Sequence, residues 1–140
     1  LGSTMQIDEL IDTFELLTDW EERYRVIIDL GRRLPPMPDS EKTEEHRVQG
    51  CTSMVWLVDE VVPGDPLRLR FRTDSDSFIV KGLLAIILMV YSDRTPAEIL
   101  ATDIEELFTR LGLEQNLSPN RRSGFFSTVE RIKSLAAAYH

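Results

Sequence analysis

The residue with the clearest chemical potential is Cys51, the single cysteine of the chain, which is followed by an apolar run. One thiol cannot form an intramolecular disulfide, and one thiolate is too few to hold a zinc or iron–sulfur centre. Gly50 precedes it and the small polar residues Thr52 and Ser53 follow, a pattern typical of a turn that ends where a strand begins. Backbone N–H groups exposed in such a turn would stabilise the reactive thiolate. Burial as a small hydrophobe is the alternative for a lone cysteine.

A solitary thiol also limits the reactions that are open to the chain. Because there is no second cysteine, any disulfide or sulfur exchange that begins on Cys51 must end on another molecule. A sulfur relay, in which one thiol accepts a sulfane sulfur and passes it to a different protein, meets this requirement. Gly50 beside the nucleophile would let the loop of a foreign active site approach closely.

Other catalytic constellations are weak in this sequence. His46 precedes Cys51 by five residues, which span about 17 Å when extended, so a Cys–His pair would require the turn to fold the chain back. His140 is the last residue and is expected to be frayed. The sequence has no glycine-rich phosphate loop, no H-E-x-x-H, no CxxC and no G-x-S-x-G.

Two groups of arginines are candidates for partner contact. Arg68, Arg70 and Arg72 alternate with apolar residues and could bind an anionic ligand, although the outward face of a strand explains them without any function and is the preferred interpretation. Arg121 and Arg122 follow a helix start, where cations oppose the helix dipole, so a contact with another protein is one reason for their placement. Tolerance of such charges at the surface is the alternative.

Length and composition indicate one globular domain. The chain has 140 residues, 42% of them apolar and 29% charged, and a formal net charge of −8. Such an acidic surface is expected to repel nucleic acid and anionic membranes. The longest apolar run is too short to cross a bilayer, and we expect a cytoplasmic protein in which a free thiol survives. Residues 1–4 are interpreted as a cloning remnant and residues 5–140 as a single domain.

The hydrophobic spacing predicts helices at both ends of this domain and strands between them. A first helix begins at Ile7, and a capping box at residues 18–21 opens a second helix that ends near Gly31. Polar residues 39–45 are predicted to form a solvated loop, most simply an exposed connector, although their position could let them cover the thiol. Two strands, residues 54–62 and 67–72, form an antiparallel hairpin around the turn at residues 63–66.

The remaining segments complete an α+β fold. A short strand through residues 47–48 would make the sheet three-stranded. Further helices are predicted from the caps at residues 74–77 to about Tyr91, after the capping box at residues 95–98, between Asp103 and Gly112, and from Ser118 onward. The last of these has an inner face of Phe125, Val129, Ile132 and Ala136. The fold class is therefore a small antiparallel sheet of about three strands packed against several helices.

Taken in order, the motifs of the chain resemble the SufE family, which includes CsdE. The resemblance extends from Ile7 to the end of the chain, and it rests on the following segments: residues 19–24 (DWEERY), 28–35 (IDLGRRLP), 48–56 (VQGCTSMVW), 74–76 (DSD), 79–83 (IVKGL), 95–96 (TP) and 117–121 (LSPNR).

This resemblance implies the fold shared with IscU-type scaffolds and a role as a sulfur acceptor. A SufE-like protein takes persulfide sulfur from a cysteine desulfurase of the SufS or CsdA type, stimulates its turnover, and delivers the sulfur to the SufBCD complex, with SufB the expected contact. Cys51 occupies the acceptor position, Arg121 or Arg122 the position of a basic desulfurase contact, and Asp76 the segment beside the cysteine loop. The pyridoxal phosphate belongs to the desulfurase, so no cofactor or metal is expected on this chain. We expect a monomer or weak homodimer that is a carrier and activator rather than an enzyme.

Two alternatives remain at this point. A stand-alone thiol peroxidase or transferase needs a base or cation beside Cys51. An IscU-like scaffold needs further metal ligands, although that class uses three cysteines and this chain has one.

Overall fold

Helices surround a single hairpin in the computed structural model, which describes residues 7–51 and 53–139. The elements are α1 (Ile7–Leu16), α2 (Trp20–Arg32), a 3-10 turn (Asp39–Glu41), β1 (Val55–Val62), β2 (Arg68–Ser75), α3 (Phe78–Tyr91), α4 (Pro96–Ala101), α5 (Glu105–Arg110), α6 (Leu113–Asn116) and α7 (Pro119–Ala137). The predicted α+β class is confirmed. None of the helices in these ranges is both long enough and apolar enough to cross a membrane.

The sheet has two strands rather than the predicted three. β1 and β2 pair antiparallel, with Val55 opposite Ser75 and Val62 opposite Arg68. Arg47 forms only an isolated bridge to Trp56. Residues before it are held in turns, since the N–H groups of His46 and Arg47 donate to carbonyls three residues earlier. The extended stretch is thus too short for a strand.

Side-chain caps explain where most of the helices begin. Thr95 and Glu98 form the predicted capping box of α4, and Ser118 caps α7 through the N–H of Arg121. The predicted box at residues 18–21 is wrong, because Asp19 and not Thr18 is the N-cap of α2. Both side chains can cap a helix, and the apolar spacing allows either start.

Two other boundaries differ from the prediction. β2 continues to Ser75, so of the four candidate caps at residues 74–77 only Ser77 caps α3, through the N–H of Val80. The helix predicted between Asp103 and Gly112 is α5, and it is followed by the unpredicted single turn α6 after Gly112, whose φ is +75°.

Helix α3 lies at the centre of the core and is held close to α2. Gly82 and Gly31 permit this approach: a Cβ on Gly82 would lie 2.0 Å from the backbone oxygen of Ile27, and a Cβ on Gly31 would lie 2.6 Å from the Gly82 nitrogen. Side chains at these positions would therefore push the helices apart. The buried face of α7 carries the four predicted residues together with Thr128.

Candidate functional site: the cysteine turn

The site begins with a turn that only glycine makes easily. Gly50 has a φ of +86°, in the left-handed region that costs other residues energy. A Cβ at this position would also lie 2.6 Å from the Ser127 Oγ on α7. The turn therefore requires glycine both for its backbone conformation and for its contact with α7.

Cys51 follows this turn and packs against α7. Its Sγ lies 3.6 Å from the backbone oxygen of Gly124, to which the thiol donates a hydrogen bond. A Cβ on Gly124 would come within 3.3 Å of Sγ, so the lack of a side chain at position 124 leaves room for the sulfur. The Thr128 hydroxyl donates to the same oxygen at 2.9 Å. The thiol is half-buried and rests as a hydrogen-bond donor.

The surroundings of Cys51 favour its neutral form. Burial raises the pKa of the Cys51 thiol, while the Thr128 side chain and the positive charge of Arg47 act in the opposite direction without reversing the shift. The hydrogen bond to the Gly124 oxygen adds to the effect of burial, because only the protonated sulfur can donate it. At rest, then, the sulfur is less nucleophilic than a free cysteine at the same pH.

A small cavity lies beside the sulfur. Its volume is about 40 Å³, above the roughly 10–15 Å³ that one water needs. Apolar side chains of α3 form one wall and α7 forms the other. The cavity is lined by Cys51, Ser53, Val55, Val80, Leu83, Leu84, Ile87, Asn120, Arg121, Gly124, Phe125 and Thr128.

The downstream side of the turn is held by Asp76. Its Oδ1 accepts from the Met54 N–H at 3.1 Å, and its own N–H donates to the Met54 oxygen at 3.4 Å. Asp76 itself is exposed. Its carboxylate bonds to the backbone of the segment that follows the cysteine. Ser53 lines the cavity, and Thr52 lies outside the described residues.

The two adjacent arginines of α7 have different surroundings. Arg121 is exposed and lines the rim of the cysteine cavity. Arg122 donates from Nη2 to the backbone oxygen of Glu114 and so closes the end of α6. The structure brings Arg121, but not Arg122, to the cysteine.

The nearest histidine in the sequence has other partners. His46 Nδ1 lies 2.7 Å from the backbone oxygen of Glu41, which can only accept, so this nitrogen carries a proton. The hydrogen bond of the Cys51 sulfur goes to Gly124 instead. His140 lies outside the described residues.

Two residues of the segment 39–45, Glu41 and Lys42, bind the sheet, while the other five are exposed as predicted for a solvated loop. Lys42 lies 3.5 Å from the buried carboxylate of Asp74, which also pairs with Lys81 at 3.3 Å. Glu41 pairs with Arg72, and this hydrogen bond lowers the pKa of the Glu41 carboxyl. The loop is therefore attached to β2.

The arginine row of β2 is largely neutralised within the chain. Arg72 pairs with Glu41 and Glu60, while Arg68 and Arg70 share the carboxylate of Asp93 at 2.7 and 3.4 Å. The outward face of a strand thus accounts for their alternation.

Sequence reasoning missed Gly124, Ser127 and Thr128, which hold the cysteine turn on α7. One signal was available, since a glycine inside a helix costs about 1 kcal/mol relative to alanine and usually has a packing reason. Across residues 7–51 and 53–139, no group of three or more His, Cys, Asp or Glu side chains is placed to hold a metal ion.

Comparisons with known proteins show the family and the fold of this chain. A family model described as "SufE: Fe-S metabolism associated domain" matches residues 8–136. An uncharacterized SufE-like protein of Rhizobium etli is 46% identical over 132 residues, covering 93% of this chain and 88% of that protein. A second, from Rhizobium meliloti, is 45% identical and covers 93% and 94%. The solution structure of a hypothetical protein from Thermus thermophilus has the same fold, with a TM-score of 0.75 at 19% identity, covering 95% and 94%.

Proposed function

Because the chain belongs to the SufE family of Fe-S metabolism associated domains, we propose that it carries sulfur from a cysteine desulfurase on Cys51. The desulfurase is of the SufS or CsdA type and holds the pyridoxal phosphate, whereas this chain needs no cofactor or metal. The receiving partner is the SufBCD assembly complex, contacted through SufB. The carrier works in the cytoplasm.

The transfer itself is a thiol exchange without net oxidation. The Cys51 thiolate attacks the terminal sulfur of the desulfurase persulfide. The sulfur–sulfur bond of that persulfide breaks, and the desulfurase cysteine leaves as a thiolate. One sulfur atom moves from E–S–SH to Cys51, which becomes Cys51–S–SH, and one proton exchanges with solvent. A second exchange of the same kind passes the sulfur to the receiving partner.

The observation that carries the proposal is the resting position of the only thiol in the chain. Cys51 is half-buried, donates to the Gly124 oxygen, and has a cavity of about 40 Å³ beside it. A neutral, sheltered sulfur resists unspecific oxidation. Gly50 provides the hinge by which a partner draws the sulfur out, and the cavity offers room for one further sulfur atom after loading.

Residues around the turn have distinct proposed roles. Gly50, Thr52 and Ser53 form the cysteine loop, and Asp76 restrains its downstream side. Arg121 contacts the desulfurase, because its guanidinium is exposed at the rim of the cavity. Arg122, bonded to Glu114, supports this contact by fixing the start of α7.

The stand-alone thiol enzyme is less well supported. Such an enzyme needs a thiol whose pKa is lowered by a base or cation, whereas burial raises the pKa of Cys51 and His46 is bonded to Glu41. The chain is therefore proposed as a carrier and activator of the desulfurase, not as an enzyme.

Mass spectrometry tests the proposal directly. The chain is incubated with its cognate desulfurase and L-cysteine, and the expected product carries one added sulfur, about 32 Da, on Cys51. Cys51→Ser removes the adduct and the stimulation of desulfurase turnover, while Ser134→Ala, at an exposed position of α7 outside the cavity, keeps both. Absence of an adduct on the wild-type chain, together with unaided peroxide reduction, would overturn the proposal in favour of the thiol enzyme.

A further inference from the structure

A second concave surface lies away from the cysteine turn. It is a groove of about 1120 Å³ between the end of α2, the proline-rich segment that follows, β2 and α3. Its floor is apolar, with Leu34, Leu88 and Met89 half-buried and other members fully buried. The apolar floor residues are Leu30, Leu34, Met37, Phe71, Ala85, Leu88 and Met89.

The rim of this groove is basic although the chain as a whole has a net charge of −8. A neighbouring groove between α1 and α2 shares Leu30 and Arg33 with it, so the two form one surface. Six of the chain's 16 basic residues line this surface, against two acidic residues, Asp29 and Asp93. The six are Arg25, Arg32, Arg33, Arg70, Arg72 and Arg94. Of the six, Arg72 is neutralised by Glu41 and Glu60, and Arg33 pairs with Asp29.

Internal ion pairs leave part of this positive charge uncompensated. Asp93 forms ion pairs with both Arg68 and Arg70, so one carboxylate neutralises only part of the charge of two guanidinium groups. Among the residues that the structure describes, Arg94 forms no ion pair within 4.0 Å, although its charge contributes to lowering the pKa of the Glu98 carboxyl. An apolar floor with an excess of arginine on its rim is complementary to an acidic segment that also carries apolar side chains.

The groove and the cysteine cavity occupy different faces of α3. The cavity contacts Leu83, Leu84 and Ile87, among others, whereas the groove contacts Leu88 and Met89. At 3.6 residues per turn the centres of the two sets are separated by roughly 140° around the helix axis. A protein bound in the groove therefore leaves the cysteine turn accessible.

We propose that this groove binds an extended acidic segment of the protein that receives the sulfur. This inference rests on the proposed carrier function. The receiving partner must also reach Cys51 for the second exchange, and an anchor on a different face of α3 would hold that partner without covering the thiol. A segment held in the groove raises the effective concentration of the partner's own thiol near Cys51, to the mM range for short flexible linkers. A long nucleic acid is disfavoured by the net charge of −8.

A charge reversal on the rim tests the inference. The double variant Arg70→Glu and Arg94→Glu is compared with Arg68→Glu, which lies on the same strand and shares Asp93 but does not line the groove. Binding of the purified cognate SufBCD complex is measured at low and high salt, and desulfurase loading of Cys51 is measured by mass. Met89→Glu, which places a charge on the floor, is the second variant.

The expected result separates binding from loading. The double variant and Met89→Glu load Cys51 normally, yet bind SufBCD at least about tenfold more weakly at low salt, with a smaller effect at high salt. Arg68→Glu retains wild-type binding. A photo-crosslinking side chain at position 89 should label an acidic segment of the complex.

Other outcomes overturn the inference or its premise. Normal loading with unchanged SufBCD binding in both groove variants would overturn the groove while leaving the carrier function standing. If the groove variants lose self-association while Arg68→Glu keeps it, the groove belongs to an interface with a second copy of the chain. If they instead lose binding to a single-stranded RNA oligonucleotide, the groove binds RNA. Either result would overturn the inference. A wild-type chain that is never loaded would overturn the carrier function itself.

Discussion

Gly124 and Cys51 lie 73 positions apart in the sequence, yet a Cβ on the glycine would come within 3.3 Å of the cysteine sulfur. The same glycine provides the carbonyl to which the thiol donates. One residue of α7 thus contacts the sulfur and accepts its hydrogen bond, while burial is the main cause of the raised pKa of the thiol.

Replacement of Gly124 by alanine should therefore expose the thiol. Overpacking of this kind costs about 1–3 kcal/mol, which corresponds to a rise of roughly five- to 150-fold in the open fraction. The alkylation rate of Cys51 by iodoacetamide at pH 7 should increase accordingly. Ser123→Ala, at the preceding exposed position, serves as the control and should leave the rate unchanged. An unchanged rate in Gly124→Ala would show that α7 does not hold the sulfur.

The pH dependence of alkylation should reflect the raised pKa of Cys51. Burial favours the neutral thiol, so the rate should reach half its plateau above pH 8.5, about the value for a free cysteine. Gly124→Ala should move this midpoint down toward that value as the sulfur enters solvent. A wild-type midpoint below that of a free cysteine would contradict the burial argument.

The same shift predicts how stability depends on pH. A thiol whose pKa is higher in the folded chain contributes stability fully below its unfolded pKa, and this contribution is lost as the pH rises through the folded value. Urea unfolding at pH 7 and pH 10 should therefore show a larger loss for the wild type than for Cys51→Ser. Equal losses in the two proteins would mean that the thiol has the same pKa in both states.

Asp76 should act on the cysteine turn through the backbone of Met54. Asp76→Ala removes the acceptor of the Met54 N–H, and loss of such a bond costs about 1–2 kcal/mol. Thiol alkylation should become faster, while Asp76→Asn, which keeps an acceptor oxygen, should stay near wild type. Asp103→Ala is the matched control, because Asp103 accepts from the Glu105 N–H at a distant helix start. Equal rates for Asp76→Ala and Asp103→Ala would remove Asp76 from the site.

Substitutions of Arg121 and Arg122 should have different effects, the first on desulfurase binding and the second on stability. Arg121→Ala should weaken desulfurase binding about tenfold, as expected when one interface arginine worth about 1–2 kcal/mol is lost, and should leave the urea midpoint unchanged. Arg122→Ala removes the bond to the Glu114 oxygen and should lower the midpoint instead. Titration of a labelled desulfurase together with urea unfolding measures both effects. The reverse pattern would assign the contact to Arg122.

Local signals in the sequence predict much of this fold, because caps and apolar spacing act within a few residues. The capping box at Thr95 and the cap at Ser118 are observed as predicted. A third strand at Arg47 is not, since its formation depends on how many residues remain extended after the preceding turns. The choice of Asp19 over Thr18 as a cap likewise does not follow from residue type, because both side chains can cap a helix.

The candidate site divides in the same way. Cys51 and the need for glycine at position 50 follow from residue type and turn chemistry. The support of Gly124 and Thr128 does not, because contacts across 73 residues leave no periodic trace in one sequence. The different environments of Arg121 and Arg122 depend on the position of α6, and no local sequence pattern predicted this helix.

The contact between Gly31 and Gly82 has a consequence for anyone who redesigns this protein. Because α3 carries the cysteine cavity on one face and the basic groove on another, a bulkier residue at position 82 would disturb both surfaces at once. Substitutions at positions 88 and 89 should instead alter the groove alone. An engineer who wants to redirect sulfur without impairing its capture should therefore preserve the glycine pair and vary the outer helix face.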